Sequence, residues 1–431
     1  MLNMDFPHLH VSQINKPLNM KILLIHQYAG NKGDRAVAFA ICNLIKSIDP
    51  TIEITISTSS PELWENEPYY MENSIKFITN SWDFSKASPR YYWSFIQKVE
   101  KYTFTILRTL YLRYGQNNLC KWFINPAFKK AVRESDLVLS VGGHHFTTLL
   151  SRDLVSSINY DAMSVLSMGK PLVCFSQSFG HFKFHNPKNE QLTKKILTNC
   201  KLLLPREAKA TDDLKLMGVP DNLIKATYES VITLNSLITD YVIPSKRNKW
   251  VGIAIYATQK REPTVHANYV QSIVDTCNHI NSQGYEVRFF PMELKGTGPD
   301  DRILIKEITD KVQNPEMVMM YDEDMTTADH IREVAKCQIF IGHKTHSTIF
   351  SMATGTPLVG IAYHVKTREF MKQFECEEYC IDDDKLTSHT LITTFDHILP
   401  NIDDVGSSLF VHAKEMSDVI KKDMRTVLSN E

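Results

Sequence analysis

Residues 337–370, CQIFIGHKTHSTIFSMATGTPLVGIAYHVKTREF, admit few folds. Residues 337–341 form a short apolar run with the length and β-branched content of a buried strand. Gly342 breaks the run, and His343, Lys344, Thr345 and His346 follow as a polar loop. Residues 347–354 then carry Ile349, Phe350 and Ala353 at helical spacing. Gly355 and Pro357 are placed to end that helix. Residues 357–362 repeat the strand pattern and residues 366–374 the helical one. Such a run predicts a βαβα unit of a parallel sheet, with ligands bound beyond the carboxyl ends of the strands. A helix beginning at Ser347 would aim free amides at an anion, with Lys344, His346 and Lys366 around it. The plainer alternative is a set of ordinary loop histidines and solvated lysines.

The same alternation runs through the rest of the chain. Residues 21–26 (KILLIH) predict a strand, then a turn with Gly30, Asn31 and Gly33, then a helix to about 48 with Asp34 as its N-cap. Residues 52–56, 136–141, 170–176 and 201–204 predict further strands, the last three ending in GGHHF, QSFGHF and PRE. Arg206 heads a helix closed by Gly218. Residues 60–85 read as irregular and 235–249 as a linker. From Trp250 a second series begins, with strands at 250–256, 285–290 and 316–321 and helices at 267–282, 301–312 and 327–336. It leads into the 337–370 unit and a terminal helix over 404–429. The expectation is α/β, with two Rossmann-like domains facing across a cleft. These are residues 20–245 and 246–400, with an arm at 1–19 and a C-terminal helix in 401–431.

Lys and Arg number 48 and Asp and Glu 49, which argues against a nucleic-acid partner held by bulk charge. The eight cysteines include no CxxC, and Cys376–Cys380 has no companion pair for zinc. Reduced cytosolic thiols fit best. The N-terminus lacks the basic and apolar regions of a secretory signal. No window approaches the roughly 20 apolar residues that span a bilayer. A cytoplasmic protein is expected. Residues 86–128 interleave aromatic and aliphatic side chains with Lys and Arg. The plainer reading is a helix packed on the sheet; the sharper one is an interfacial surface at a membrane.

The turn GNKGDRA is neither GxGxxG nor a Walker A loop. There is no GxSxG elbow, no HExxH and no local carboxylate pair of glycosidase type. Arg206 could grip a carboxylate or phosphate with two N–H groups. Taken singly, His144, His145 and His181 read as structural. Taken together, the strand-end loops carry histidines, Arg and Lys and few acids. That composition suits a doubly charged small anion, with histidine available for proton transfer.

In their order, these motifs resemble the polysaccharide pyruvyl transferase family. Gly30-Asn31-Lys32-Gly33-Asp34 matches its G-N-x-G-D turn, and the strand ending at Gly142 and Gly143 matches its GG strand. Gln177-Ser178-Phe179-Gly180 matches Q-S-x-G, and Arg206 with Gly218 matches the Arg-headed helix. Gly342 to Ser347, Gly355-Thr356-Pro357 and Tyr363 to Lys366 match G-x-R-x-H-S, G-x-P and Y-x-x-K. The resemblance spans residues 20–375.

It implies a GT-B-like fold. It also implies transfer of the enolpyruvyl group of phosphoenolpyruvate to a hexose of a polysaccharide or lipid-linked glycan precursor, as a cyclic pyruvate ketal. Arg206, His346 and His181 would be catalytic: Arg206 and His346 would serve phosphoenolpyruvate, with His346 the candidate acid, and His181 would position or deprotonate the hydroxyl of the acceptor sugar. Gly30, Asn31, Gly33, Asp34, Gly142, Gly143, His144, Ser178, Lys344, Ser347, Tyr363 and Lys366 would bind substrate. Residues 20–245 would be the acceptor side and 246–400 the donor side. No metal or cofactor is implied beyond phosphoenolpyruvate as donor substrate. A lipid-linked acceptor at the inner membrane surface would give residues 86–128 a peripheral role.

The chain also departs from the family. Lys344 replaces an Arg, which keeps the charge and loses the fork, and Glu229 stands where Asp is common. Two other readings remain: a GT-B glycosyltransferase with a nucleotide-sugar donor, drawing on Glu229 or Glu293, and a non-catalytic glycan-binding relative.

Overall fold

The computed structural model describes residues 20–28, 30–59, 61–64, 67–81, 93–148, 156–258, 261–294, 298–363 and 365–429. The expected arm at 1–19 lies outside these residues, as does the start of the aromatic and basic stretch at 86–92. In chain order the first half comprises β1 (Lys21–Gln27), α1 (Lys32–Ile48), β2 (Glu53–Thr58), α2 (Pro68–Glu72), β3 (Lys76–Ile78), α3 (Trp93–Tyr114), α4 (Pro126–Glu134), β4 (Leu137–Val141), β5 (Phe146–Thr147), α5 (Ser156–Ser167), β6 (Leu172–Gln177), β7 (Phe179–Gly180), α6 (Pro187–Thr198), β8 (Leu202–Pro205) and α7 (Ala208–Met217). The second half comprises β9 (Asn248–Ala254), α8 (Pro263–Ser282), β10 (Glu286–Phe289), α9 (Asp301–Thr309), β11 (Val318–Met320), α10 (Thr327–Val334), β12 (Cys337–Gly342), α11 (Thr345–Ala353), β13 (Leu358–Ala362), α12 (Val365–Gln373), β14 (Cys380–Asp382), α13 (Ser388–Ile398) and α14 (Ile402–Ser429).

Two six-stranded sheets result, β3-β2-β1-β4-β6-β8 and β11-β10-β9-β12-β13-β14. Every ladder within them is parallel. The central strands are apolar and buried on both faces, which suits parallel sheets covered by helices. Both sheets reverse direction at their middle, between β1 and β4 and between β9 and β12. Those switch points leave crevices at the strand carboxyl ends. The architecture is α/β and GT-B-like, as expected.

Several local expectations shift. α1 starts at Lys32 and not after Asp34, because Asn31 is the cap: its side chain accepts from the Gly33 amide at 2.7 Å. The short edge strands β3 and β14 were not foreseen, since partly exposed edges lack a continuous apolar run. The expected linker at 235–249 is anchored. The 3-10 segment Ser230–Leu237 is largely buried against α1, α11 and α14. Arg247 donates to the Gly355 carbonyl at 3.0 Å and to Thr356 Oγ1 at 2.7 Å. α14 returns to the first half, where Asp423 accepts from Thr227 Oγ1 at 2.7 Å and pairs with Lys225 at 2.7 Å.

The halves are clamped where α1 begins. Asp324 takes two bonds of 2.9 Å from Arg35 and one of 2.7 Å from Lys32. Asn31 Nδ2 reaches Glu293 at 3.1 Å, and the Lys32 amide donates to the Met292 carbonyl at 2.9 Å. Glu67 accepts from the Thr327 amide and hydroxyl, both at 2.6 Å. Burial alone would raise the Asp324 carboxyl, but its bonds to Arg35 and Lys32 overcome this and hold it at about 2. A carboxyl depressed from 3.8 contributes stability above the unfolded value and loses it as pH falls toward 2. Stability measured by thermal unfolding should therefore fall by about 2 kcal/mol from this group as pH drops from neutral toward 2. Asp324→Asn should remove that part of the acid dependence and cost about 3 kcal/mol at neutral pH, by leaving two buried cations uncompensated.

Candidate functional site

A cavity of about 250 Å³ lies between the carboxyl ends of the two sheets. Its wall is built from loops at both switch points. Asn31 follows β1, His144 follows β4, Tyr256 follows β9, and Lys344 and His346 follow β12. Arg206, Glu293 and Tyr363 enter from behind β8, β10 and β13. The parallel topology thus aims residues far apart in sequence at one small space.

Arg206 is buried and fully oriented. Its Nε donates to Ser178 Oγ at 3.0 Å and lies 3.3 Å from Glu207 Oε1. Nη1 pairs with Glu229, and Nη2 faces the Gly143 carbonyl at 3.4 Å. Burial works against the guanidinium charge, but Glu229 and Glu207 outweigh it and keep Arg206 protonated. Lys344 Nζ lies 3.0 Å from Asp301 and 3.7 Å from Glu293. Lys366 Nζ contacts His144 Nδ1 and lies 3.8 Å from Glu207. Burial draws the Lys366 ammonium down to about 7; Glu207 opposes this and Arg206 reinforces it.

His346 packs against the start of α1. A Cβ on Gly33 would sit 2.3 Å from His346 Nδ1, so only glycine permits this approach. His346 Nε2 is buried and has no hydrogen-bond partner among the described residues. Burial lowers the imidazole to about 4, with Glu229 resisting and Arg206 and Lys366 adding to the fall. In the free protein it is therefore neutral near pH 7, and it becomes an acid only when a bound anion raises it. Asp34 moves the other way. Burial, with Glu293 and Glu229 adding, pushes its carboxyl up to about 7.

Asn31, His144, Arg206, Lys344, His346 and Tyr363 all line the cavity, as the sequence suggested. Gly30 lies in the bend before Asn31, and Gly33 seats His346. Gly142 and Gly143 adopt positive φ of 60° and 74°. Side chains there would strike Val37 and His145. Other expectations change. Ser178 is buried beneath Arg206, donating to Glu207 at 2.5 Å, and so orients the guanidinium without lining the cavity. α11 begins at Thr345, and Ser347 spends both its amide and its hydroxyl on the Lys344 carbonyl, at 2.9 and 2.7 Å. The first-turn amides are those of Thr345 and His346. His181 is not in the cavity wall; its amide donates to Asp213 at 2.9 Å, and its ring lies within electrostatic reach of Lys366.

The expectation of few acids does not hold. Asp34, Glu207, Glu229, Glu293 and Asp301 surround Arg206, Lys344 and Lys366. Glu207 and Asp301 were missed because no local motif marks them, as was Tyr256. The position of Tyr256 just past a central strand was the one usable signal. Its ring stacks on Tyr363 at 4.7 Å.

The sequence model of the polysaccharide pyruvyl transferase family matches residues 31–365, and the chain belongs to that family. It is 21% identical over 403 residues to the amylovoran biosynthesis protein AmsJ of Erwinia amylovora, covering 90% of this chain and 94% of that protein. Among solved structures, it resembles a putative UDP-N-acetylglucosamine 2-epimerase of Listeria monocytogenes (TM-score 0.60, 12% identity, 96% of both chains). It also resembles the UDP-GlcNAc 2-epimerase of Neisseria meningitidis (TM-score 0.58, 11% identity, 95% of this chain and 100% of that one). At these identities the structural likeness concerns the fold alone.

Heteronuclear NMR of the histidine side chains should find His346 titrating near pH 4 in the free protein. Inorganic phosphate should move that titration upward, and so should Lys366→Met, which removes a cation that depresses it. An ordinary value of 6.5 in the free protein would contradict the burial of this ring.

Proposed function

We propose that this member of the polysaccharide pyruvyl transferase family moves the enolpyruvyl group of phosphoenolpyruvate onto a hexose of a polysaccharide or its lipid-linked precursor. The product is a cyclic pyruvate ketal, with phosphate released. The observation that carries this reading is the single cavity lined by Arg206, Lys344 and the unpartnered Nε2 of His346. It offers two cationic groups for a carboxylate and a phosphate, and a proton carrier beside them.

Arg206 is held by Glu207, Glu229 and Ser178, so its remaining N–H groups meet the donor without reorganisation. Lys344, Lys366 and the first-turn amides of α11 supply the rest of the neutralisation. The arriving negative charge raises His346, which takes up a proton and passes it to the methylene carbon. The central carbon becomes electrophilic and a sugar hydroxyl oxygen bonds to it. The bond to the phosphate oxygen breaks, its electron pair leaving with phosphate, and a second hydroxyl closes the ketal. One hydroxyl proton replaces the proton given to the methylene group, and the other leaves with phosphate. Glu293, on the cavity wall, is a carboxylate that could accept a hydroxyl proton on the way. The stacked Tyr256 and Tyr363 rings offer a face for the hexose. His181 lies outside the cavity wall, and we assign it to holding the acceptor sugar.

The test is phosphate release from phosphoenolpyruvate in the presence of candidate glycan acceptors. His346→Ala and Arg206→Ala should each lower the acceptor-stimulated rate by about 100-fold or more. Near-wild-type rates in either variant would remove that residue from the mechanism. Turnover of a nucleotide sugar in place of phosphoenolpyruvate would favour a glycosyltransferase.

A further inference from the structure

We propose that the outward face of α3, continued by the 3-10 segment Asn118–Phe123, docks on an anionic lipid bilayer. This deepens the proposed function by suggesting where a lipid-linked acceptor is met. It rests on that reading only for its purpose.

α3 has two faces. Leu107 and Tyr111 are buried where the helix packs on α5 and α6, and Cys120 is buried just beyond it. The opposite side carries Lys98, Lys101, Thr105, Thr109 and Arg113, all exposed and three or four residues apart, with exposed Tyr102 beside Lys101. That spacing makes one stripe along the helix. Tyr102 is 71% exposed, and the stripe leads on to Leu119 at 53% and Trp122 at 82%. Among the described residues these open rings have no ring partner, and Trp and Tyr beside lysines suit the headgroup layer.

Charge points the same way. From 86 to 133 the chain holds ten Lys and Arg residues against one acid, Glu100, although the whole chain is balanced at 48 to 49. The neighbouring α6 adds Lys188, Lys194 and Lys195 against Glu190. Basic charge gathered around exposed aromatic and aliphatic groups matches anionic headgroups over acyl chains, whereas a nucleic acid would not call for Leu119. Among the described residues no helix is long and apolar enough to cross a membrane, so the fit is to its surface.

The face also extends toward the cleft side of the first half. Arg108 Nη1 meets Asn189 near the start of α6 at 2.8 Å, and Lys195 Nζ meets the Leu112 carbonyl at 2.9 Å. α3 therefore runs alongside α6 in the same direction. α6 starts on the cleft side of the first sheet, after β7 and the His181 loop. The earlier half of the stripe reaches that side, so a bilayer lying on α3 would border the cleft.

Flotation of the full chain with vesicles tests this. The protein should float with phosphatidylglycerol-containing vesicles and not with pure phosphatidylcholine, and high salt should release it. Lys98→Glu with Lys101→Glu should lower the partition coefficient at least tenfold, since each lost cation is worth roughly fivefold. Trp122→Ala with Tyr102→Ala should also weaken it, while phosphoenolpyruvate turnover on a water-soluble acceptor stays unchanged in both double variants. Thermal unfolding of each variant should match wild type, since these side chains are exposed. Absence of flotation, equal binding to neutral vesicles, or binding indifferent to both pairs would overturn the proposal. So would a dimer in light scattering that Trp122→Ala dissociates, because the face would then be covered by a second copy. A wild-type protein that floats as expected but releases no phosphate upholds the docking face and sinks the proposed function instead.

Discussion

Asp324 carries more of this structure than its place in a loop suggests. Its carboxylate holds Lys32 and Arg35, the first turn of α1, against the second half of the molecule. Removing two cations from water is costly, and a buried pair of this kind is a weak source of net stability. Its value lies in geometry. With the start of α1 fixed across the cleft, Asn31 meets Glu293 and Gly33 lies against the His346 ring. The cavity exists because these approaches are held together, and each needs its own residue type: a cap with a short amide, a glycine, and cations long enough to reach Asp324.

The charges around the cavity follow one logic. Arg206 and Lys344 each touch two carboxylates, so their orientations are set before any ligand arrives. Preorganised groups in a water-poor site act on developing charge without first rearranging. Burial, with Glu293 and Glu229 adding, shifts Asp34 upward, and burial, with Arg206 and Lys366 adding, shifts His346 downward, so both can exchange protons near neutral pH once a dianion alters the local field. A site with cations alone would grip an anion more simply and would leave its histidine harder to protonate.

The two faces of α3 differ in what they touch. The plain expectation of a helix packed on the sheet gives way to one packed on α5 and α6, with Leu107 and Tyr111 buried. Lys98, Lys101, Tyr102 and Arg113 occupy the other face and are exposed, while Tyr111 and Arg108 serve the packed side. A composition that looked ambiguous in sequence is resolved by the helical period, which separates the two sets of residues.

The sequence by itself determined the two sheets and the loops that bear the site. Apolar β-branched runs bounded by Gly, as in 337–342, 21–27 and 137–141, need no tertiary context to be read as buried parallel strands. Once strands and helices alternate, the cleft must lie at the strand carboxyl ends, and so Asn31, His144, Arg206, Lys344 and His346 could be placed together. The edge strands β3 and β14 escaped because half-exposed backbone carries no apolar signature. What only the tertiary structure decided is which groups face one another. Glu229 lies 23 residues from Arg206, and Asp301 lies 43 residues from Lys344. No local period links such pairs; strand order alone brings them within a hydrogen bond. The same holds for Gly33 and His346, which meet only because the two halves close across the cleft.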